Sequence, residues 1–392
     1  MIIVKSFTFL VHNIYHMGGT TKSISNLANI LSEKGHRVKI ISVFKASTQP
    51  YFKLNKDIEI IPIIEYAKTP QGLINILFNR IHKYTPFLKP KIINKNEPGL
   101  NQFSSYVENK IIKKLQQIDT DIVVGTRASY NLLIAQYVEE HIIKIGMEHM
   151  YLNAHPKSYQ QDIIKGYENL NIVTTLTKDD QQDYKKQLKN PHIIVVSNIL
   201  NEPKYDIPKK NVIVAAGRFD YEKGFDLLIE SINLIQEDMR KYDYVLELYG
   251  DGQEKETYIN LINKFNVGDI IKLRPTTNEL SKVLASSKIT AVPSRVEGFG
   301  LVILEAMYQQ NIVIGYQGCY GPEFLIEHNV NGYLIPSNDI IKFSNRIIEV
   351  IEHYDSIEIQ SVINESEIRT KQFDKNEIYS KFLNDIEGLF EQ

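Results

Sequence analysis

Short apolar runs alternate with stretches whose apolar positions recur at helical spacing, and this alternation persists along most of the chain. A switch between strand period and helix period, repeated many times, predicts parallel α/β sheets with helices on their faces. In the first half, strands are predicted over Ser6–Val11, His36–Val43, Ile58–Ile64, Asp121–Gly125, Ile142–Met147, Asn171–Leu176 and His192–Val196. Helices are predicted over Thr20–Lys34, which Gly35 ends, and over Phe103–Gln117, Ser129–Glu140 and Lys178–Lys189.

The segment Ser197–Asn211 (SNILNEPKYDIPKKN) breaks the pattern, with two prolines and little apolar periodicity, and reads as a linker. The alternation then restarts with strands over Val212–Ala216, Tyr244–Tyr249, Ile270–Leu273, Ile289–Val292 and Ile312–Gly315. Helices are expected over Phe225–Gln236, Gln253–Phe265, Leu280–Ser286 and Leu301–Gln309. The expected architecture is two Rossmann-like domains, 1–197 and 198–374, with a last helix over 375–392 completing the first. Open α/β sheets bind ligands at the carboxyl ends of their strands. Two such sheets facing each other would leave a cleft with a ligand on each wall, which suits a transfer between two bound molecules.

Composition narrows the function classes. A net charge of -2 over 392 residues gives no global reason to expect a nucleic-acid partner. The single cysteine, Cys319, excludes an intramolecular disulfide framework and suits a reducing compartment. The amino terminus lacks a basic region ahead of a long apolar core, Lys5 interrupts its apolar run, and it reads as a buried first strand. No stretch reaches the roughly 18 to 20 apolar residues of a membrane span. The expected location is therefore cytoplasmic. Residues 72–95 mix Leu73, Ile76, Leu77 and Ile81 with Arg80, Lys83, Lys89, Lys91 and Lys95. That mixture fits peripheral contact with an anionic membrane, at the inner face, through a helix cut short by Pro86 and Pro90. An ordinary core-facing helix and loop is the rival reading.

Three motifs carry candidate chemistry. In Arg295–Glu305 (RVEGFGLVILE) a glycine-containing turn follows a strand and opens a helix, so the amides of Phe299, Gly300 and Leu301 form a helix start suited to anions. Glu297 in the turn and Glu305 on the helix can each grip a vicinal diol through two accepted hydrogen bonds. A plain helix-start loop with a solvated Glu305 is the bland alternative. In Gly217–Gly224 (GRFDYEKG), Arg218 and Lys223 project from a strand-to-helix loop and can bracket a diphosphate. Gly18-Gly19 lies between the first strand and first helix, where glycines admit a ligand to helix-terminal amides. G-x-G-x-x-G and G-x-x-x-x-G-K-[ST] are both missing, which disfavours dinucleotide binding and P-loop ATP hydrolysis. No G-x-S-x-G elbow exists either, and Cys319 has no base partner in sequence.

Taken in order, the Gly-Gly turn, Gly217-Arg218 with Lys223 and Gly224, Tyr249-Gly250-Asp251-Gly252, and Glu297 with Glu305 resemble the family 4 glycosyltransferases. The resemblance covers nearly the whole chain and implies a retaining enzyme of GT-B architecture, two facing Rossmann-like domains with a cleft between them. It implies that Arg218 and Lys223 neutralise the diphosphate of a nucleotide-sugar donor, with no metal or other cofactor required. It further implies that Glu297 holds donor-sugar hydroxyls, that Phe299, Gly300 and Leu301 lend amides, that Glu305 grips the ribose, and that Gly18 and Gly19 close on the diphosphate. Ile271–Pro275 matches the place of the nucleobase, with Arg274 where many relatives have glycine; UDP is preferred. Glu148-His149 ends a strand where the family often places a histidine near the donor sugar, and His149 takes that role, its neutral imidazole within a titration range useful for proton traffic. A structural histidine capping a loop is the alternative. Glu323 is assigned only a helix N-terminal charge.

The implied reaction transfers a hexose or N-acetylhexosamine to a cell-envelope glycan, such as a teichoic acid, capsule precursor or lipid-linked oligosaccharide. Its rivals are a protein O-glycosyltransferase, a nucleotide-sugar epimerase and a non-catalytic sugar-nucleotide-binding subunit.

Overall fold

The computed structural model describes residues 4–45, 47–66, 70–85 and 88–388, which divide into two compact units. One unit runs to Ile199 and resumes at Lys375; the other is Leu200–Asp374.

The first unit is built on seven parallel strands: β1 (Ser6–Val11), β2 (Arg37–Lys45), β3 (Glu59–Glu65), β4 (Ile122–Gly125), β5 (Ile143–Met147), β6 (Ile172–Thr175) and β7 (His192–Val195). Their spatial order is β3-β2-β1-β4-β5-β6-β7. The central strands are buried almost from end to end, which is why they read as continuous apolar runs instead of alternating ones. The helices are α1 (Gly19–Glu33), α2 (Pro70–Tyr84), α3 (Ser105–Leu115), α4 (Ala128–Tyr137), α5 (Lys157–Tyr167) and α6 (Lys178–Gln187). Helix α5 lies where no helix was expected. Its buried Tyr159, Ile163 and Tyr167 keep a four-residue spacing, but the intervening residues are polar and Gly166 weakens the helical signal. A Cβ on Gly166 would stand 2.1 Å from the Leu132 side chain, so α5 packs closely on α4 at this point. Pro86, expected to end α2, falls outside the described residues; α2 itself closes at Tyr84.

The second unit has six parallel strands: β8 (Lys210–Ala216), β9 (Val245–Tyr249), β10 (Ile271–Arg274), β11 (Ser287–Val292), β12 (Ile312–Tyr316) and β13 (Tyr333–Ile335), in the order β10-β9-β8-β11-β12-β13. Helices α7 (Phe225–Leu234), α8 (Gln236–Lys241), α9 (Lys255–Phe265), α10 (Leu280–Ala285), α11 (Leu301–Tyr308), α12 (Tyr320–Leu325), α13 (Ile340–Glu352) and α14 (Ile357–Thr370) cover its faces. The pattern reading left β13 and the three helices α12 to α14 unassigned. An aromatic cluster of Phe219, Phe225 and Tyr258, with ring centroids 5.3 to 6.0 Å apart, lies under the loop that follows β8. It anchors that loop from below.

After α14 the chain returns to the first unit as α15 (Lys375–Glu387), which packs on α1. Phe382 is fully buried 6.4 Å from Phe7, His36 Nε2 lies 2.9 Å from the Tyr379 hydroxyl, and Lys375 pairs with Glu33 at 2.6 Å. Both units are thus Rossmann-like α/β domains with parallel sheets.

A buried polar network fixes the end of β5. Glu148 accepts hydrogen bonds from the Tyr167 hydroxyl and, at 2.9 Å, from Asn131 Nδ2. Burial pushes its carboxyl up to about 8, against the two hydrogen bonds and with help from nearby Asp180. Between the ordinary carboxylate value and pH 8 the folded protein therefore holds a proton that the unfolded chain has released, and stability falls as pH rises through that window. Glu148→Gln removes this dependence. Its unfolding free energy, compared with wild type by chemical denaturation between pH 5 and 8, should decline less steeply by up to about 1.4 kcal/mol per pH unit. Identical slopes would show that Glu148 is ionised in the fold.

Candidate functional site

In the second unit the strand order reverses between β8 and β11, and the loops leaving these neighbours meet at their carboxyl ends. Such a reversal opens the crevice where doubly wound sheets bind ligands. The two loops are stitched together by backbone and side chain. Arg295 N and Val296 N both donate to Glu222 O, at 2.7 and 3.2 Å. The Arg295 guanidinium forms a two-pronged bridge to Asp226 at 2.8 and 2.6 Å, donates to Tyr221 O, and lies 4.1 Å over the Tyr221 ring. Gly224 sits between them at φ +65°, and a Cβ there would stand 2.1 Å from Pro293 O. Only glycine fits both constraints.

This seam brings two predicted residues into contact. Lys223 Nζ lies 2.6 Å from Glu297 Oε2, with Ser294 Oγ 3.5 Å from the same carboxylate oxygen. The lysine stem runs across Gly217, whose added Cβ would lie 3.4 Å from it. The two side chains are only 22% and 13% exposed. An ammonium has three donors and Glu297 uses one, so the pair keeps donors for an anion and acceptor capacity for hydroxyls.

Arg218 is not part of that pair. It is 71% exposed, and its guanidinium rests against Asp220 at 3.2 Å and Glu222 at 3.8 Å on its own loop. Exposed pairs of this kind hold a side chain weakly, so Arg218 can reorient at little cost. Phe299, Gly300 and Leu301 form the start of α11, with Gly300 at φ +85° and the Phe299 ring packed against Phe324 and Phe373. Gly321 lets α12 press against this turn, since a Cβ on it would meet Phe299 O at 2.4 Å. The amides of a helix's first turn have no intrahelical acceptor, which leaves them available at the crevice. Glu305 is buried on α11, so the alternative of a solvated glutamate does not hold. Arg274, at the end of β10, is engaged by Glu247 at 2.6 and 3.1 Å, and Tyr249 donates to the same carboxylate. Cys319 is buried with Sγ 3.2 Å from Arg295 O, and burial pushes its thiol up to about 11, which leaves no thiolate for nucleophilic work. Glu323 accepts from Gly318 N at 2.9 Å in the first turn of α12.

The first unit has its own reversal, between β1 and β4. Gly18 precedes α1 with φ 172°, an extended conformation open to any residue, and a Cβ on it would meet only Thr21 Oγ1 at 3.8 Å. Its smallness leaves the start of α1, beginning at Gly19, uncovered by any side-chain cap. His149 follows β5. Its Nε2 is buried with no hydrogen-bond partner and borders a small cavity with Ser23, Leu27, Met147 and Asn198. Burial, and secondarily the charge of Arg127, lower the imidazole to about 4. The expected titration near neutrality is thereby corrected: burial keeps the ring neutral across ordinary working pH.

The sequence reading missed a cluster at the β1/β4 reversal. Arg127 Nη1 lies 3.3 Å from the buried Glu97 carboxylate and 3.5 Å from His12 Nδ1, while His12 also meets the Tyr130 hydroxyl at 3.0 Å and Gln102 at 3.2 Å. Burial and then Arg127 lower His12 to about 3. The available signal was positional: His12 and Arg127 each fall just past a predicted strand, before a predicted helix.

Comparison with known proteins bears on the fold and on the class of activity. Residues 197–366 match the family model described as Glycosyl transferases group 1. Over 385 residues the chain is 26% identical to an uncharacterized glycosyltransferase of Haemophilus influenzae, covering 96% of both chains. Over 201 residues it is 29% identical to the poly(ribitol-phosphate) alpha-N-acetylglucosaminyltransferase of Staphylococcus aureus, which takes in 50% of this chain and 40% of that one. The crystal structure of an S. aureus TarM variant in complex with fondaparinux, alpha-GlcNAc-glycerol and UDP matches with a TM-score of 0.77 at 17% identity, covering 97% of this chain and 99% of that one. Both units have the Rossmann-like fold found in GT-B glycosyltransferases. The fold, the family match in the second unit and the full-length relative together support a glycosyltransferase.

Proposed function

We propose that the protein is a retaining glycosyltransferase that moves a hexose or N-acetylhexosamine from a UDP-sugar to a cell-envelope glycan. The observation that carries this reading is the Lys223–Glu297 pair at the β8/β11 reversal, beside the start of α11. A cation, a carboxylate and helix-terminal amides at one crevice match the chemistry of a sugar diphosphate: negative charge at one end, vicinal hydroxyls at the other. The UDP bound in the S. aureus TarM complex, and the poly(ribitol-phosphate) named for the S. aureus relative, favour this donor class and acceptor class.

In this reading Lys223 and Arg218 share the diphosphate, with Arg218 swinging from its loop carboxylates onto the ligand. Glu297 holds sugar hydroxyls, the amides of Phe299, Gly300 and Leu301 meet the phosphate and sugar, and Glu305 takes the ribose. Arg274 borders the base. The family resemblance assigns Gly18 and Gly19 to the diphosphate and His149, as a neutral hydrogen-bonding group, to the sugar. The anomeric carbon–oxygen bond to phosphate breaks as the acceptor oxygen bonds to the same face, and the acceptor proton passes to the departing phosphate. Negative charge builds on that leaving oxygen. The preplaced cations stabilise it without a metal ion.

Lys223→Ala, Arg218→Ala and Glu297→Ala should each lower kcat by roughly a hundredfold, about 3 kcal/mol of transition-state stabilisation, with melting temperatures showing the proteins folded. Wild-type rates in folded variants would end the reading. Saturating UDP at a hundred times its Kd should stabilise the wild type by about 2.7 kcal/mol, and Lys223→Ala should need more UDP for the same shift.

The stereochemical claim has its own check. Proton NMR of the transfer product should show the anomeric configuration of the donor, and an inverted linkage would refute retention while leaving the donor site intact.

A further inference from the structure

Helix α2 is inside out. The side chains facing its own unit are polar: Asn75 donates to Glu65 O at 3.1 Å and accepts from the Tyr106 hydroxyl and Lys110, Asn79 donates to the Tyr66 hydroxyl and accepts from Ser104, and His82 meets Ser105 Oγ at 2.8 Å. These positions recur at 75, 79 and 82, one helical stripe. The opposite stripe carries Leu73, Ile74, Leu77, Phe78, Ile81 and Tyr84, each between 43% and 77% exposed. Six of the fifteen exposed large apolar side chains among the described residues therefore lie on this one helix. A helix that merely closed the core would present the reverse arrangement, so the core-facing reading of this segment does not hold. Within the unit α2 is held by these hydrogen bonds and by the Phe78 and His82 rings against Tyr106, at 5.6 and 5.7 Å, and the rest of the apolar face is left for something else.

Charge identifies what covers it. Helix α2 has no acidic residue, and exposed Arg80 and Lys83 flank the apolar stripe along one edge. Exposed Lys89, Lys91 and Lys95 follow on a segment that the Glu108 carboxylate ties to α3 through the amides of Lys91, Ile92 and Ile93. The complementary surface must be apolar within and negative at its rim. A second copy of this chain meeting it across a two-fold axis would bring the same cations and no carboxylate of α2 to pair with them. We propose that α2 docks the protein on an anionic lipid bilayer, with its apolar stripe among the acyl chains and its cations at the headgroups. Among the described residues no helix is long and apolar enough to cross a membrane, so the contact is peripheral. The inference is independent of the donor chemistry.

Sedimentation with vesicles tests it, using the full-length protein, phosphatidylcholine alone, and phosphatidylcholine with phosphatidylglycerol. Wild type should sediment with the anionic vesicles at low salt, less at high salt, and not with phosphatidylcholine alone. Arg80→Glu/Lys83→Glu should weaken partition by well over tenfold, since each surface cation contributes about fivefold, and Leu77→Gln/Ile81→Gln by at least about tenfold. Unchanged melting temperature and unchanged UDP binding would show that both variants stay folded, and Leu77→Ser serves as a milder replacement for either that does not. Failure to sediment at low salt, or equal sedimentation by folded variants, would overturn the proposal. So would light scattering that showed a dimer dissolved by Leu77→Gln/Ile81→Gln.

Discussion

A lysine and a glutamate from two different loops are held 2.6 Å apart at the seam of a parallel sheet, where the crevice of the second unit opens. Partly buried ion pairs are poor devices for stability, because removing two charges from water costs much of what their attraction returns. A fold that needed only packing at this seam would be served as well by apolar side chains. Here the neighbouring Arg295–Asp226 bridge, the Glu222 carbonyl and Gly224 already join the loops. Lys223 and Glu297 are thus charged groups positioned by a scaffold that does not depend on them for closure, which is how binding groups are prearranged.

The two units treat polar residues differently. In the second, Lys223 and Glu297 stand partly buried at the crevice with charges half spent on each other. In the first, carboxyl and imidazole groups are driven into the fold, where desolvation raises Glu148 to about 8 and lowers His12 and His149 to about 3 and about 4. Those groups are neutral at working pH.

Helix α2 adds a separate theme. The same physical rule that places apolar stripes inward elsewhere, as in α13 with Phe343, Ile347 and Val350 buried, is reversed in it. Polar contacts and the Phe78–Tyr106 ring pair hold it to its own unit, so most of its apolar surface remains presentable.

Local pattern and spacing determined a great deal on their own. Long apolar runs in a parallel sheet are buried on both faces, so β1, β4, β8 and β12 stand out whatever surrounds them. Strand-loop-helix order likewise placed Lys223, Glu297 and the α11 start at the carboxyl ends of strands. Elements with weak periodicity were invisible: α5 surrounds its buried Tyr159, Ile163 and Tyr167 with polar residues, and the three-residue β13 exists only because β12 pairs with it. Partner choice belonged to tertiary structure alone. Spacing cannot say that Lys223 turns to Glu297 while Arg218 stays with Asp220, that Glu305 is buried, or that His149 is desolvated out of the neutral titration range. These outcomes depend on groups distant in the chain and close in space. Dielectric environment and hydrogen-bond geometry are set by the packed neighbours, and the linear order of residues carries neither.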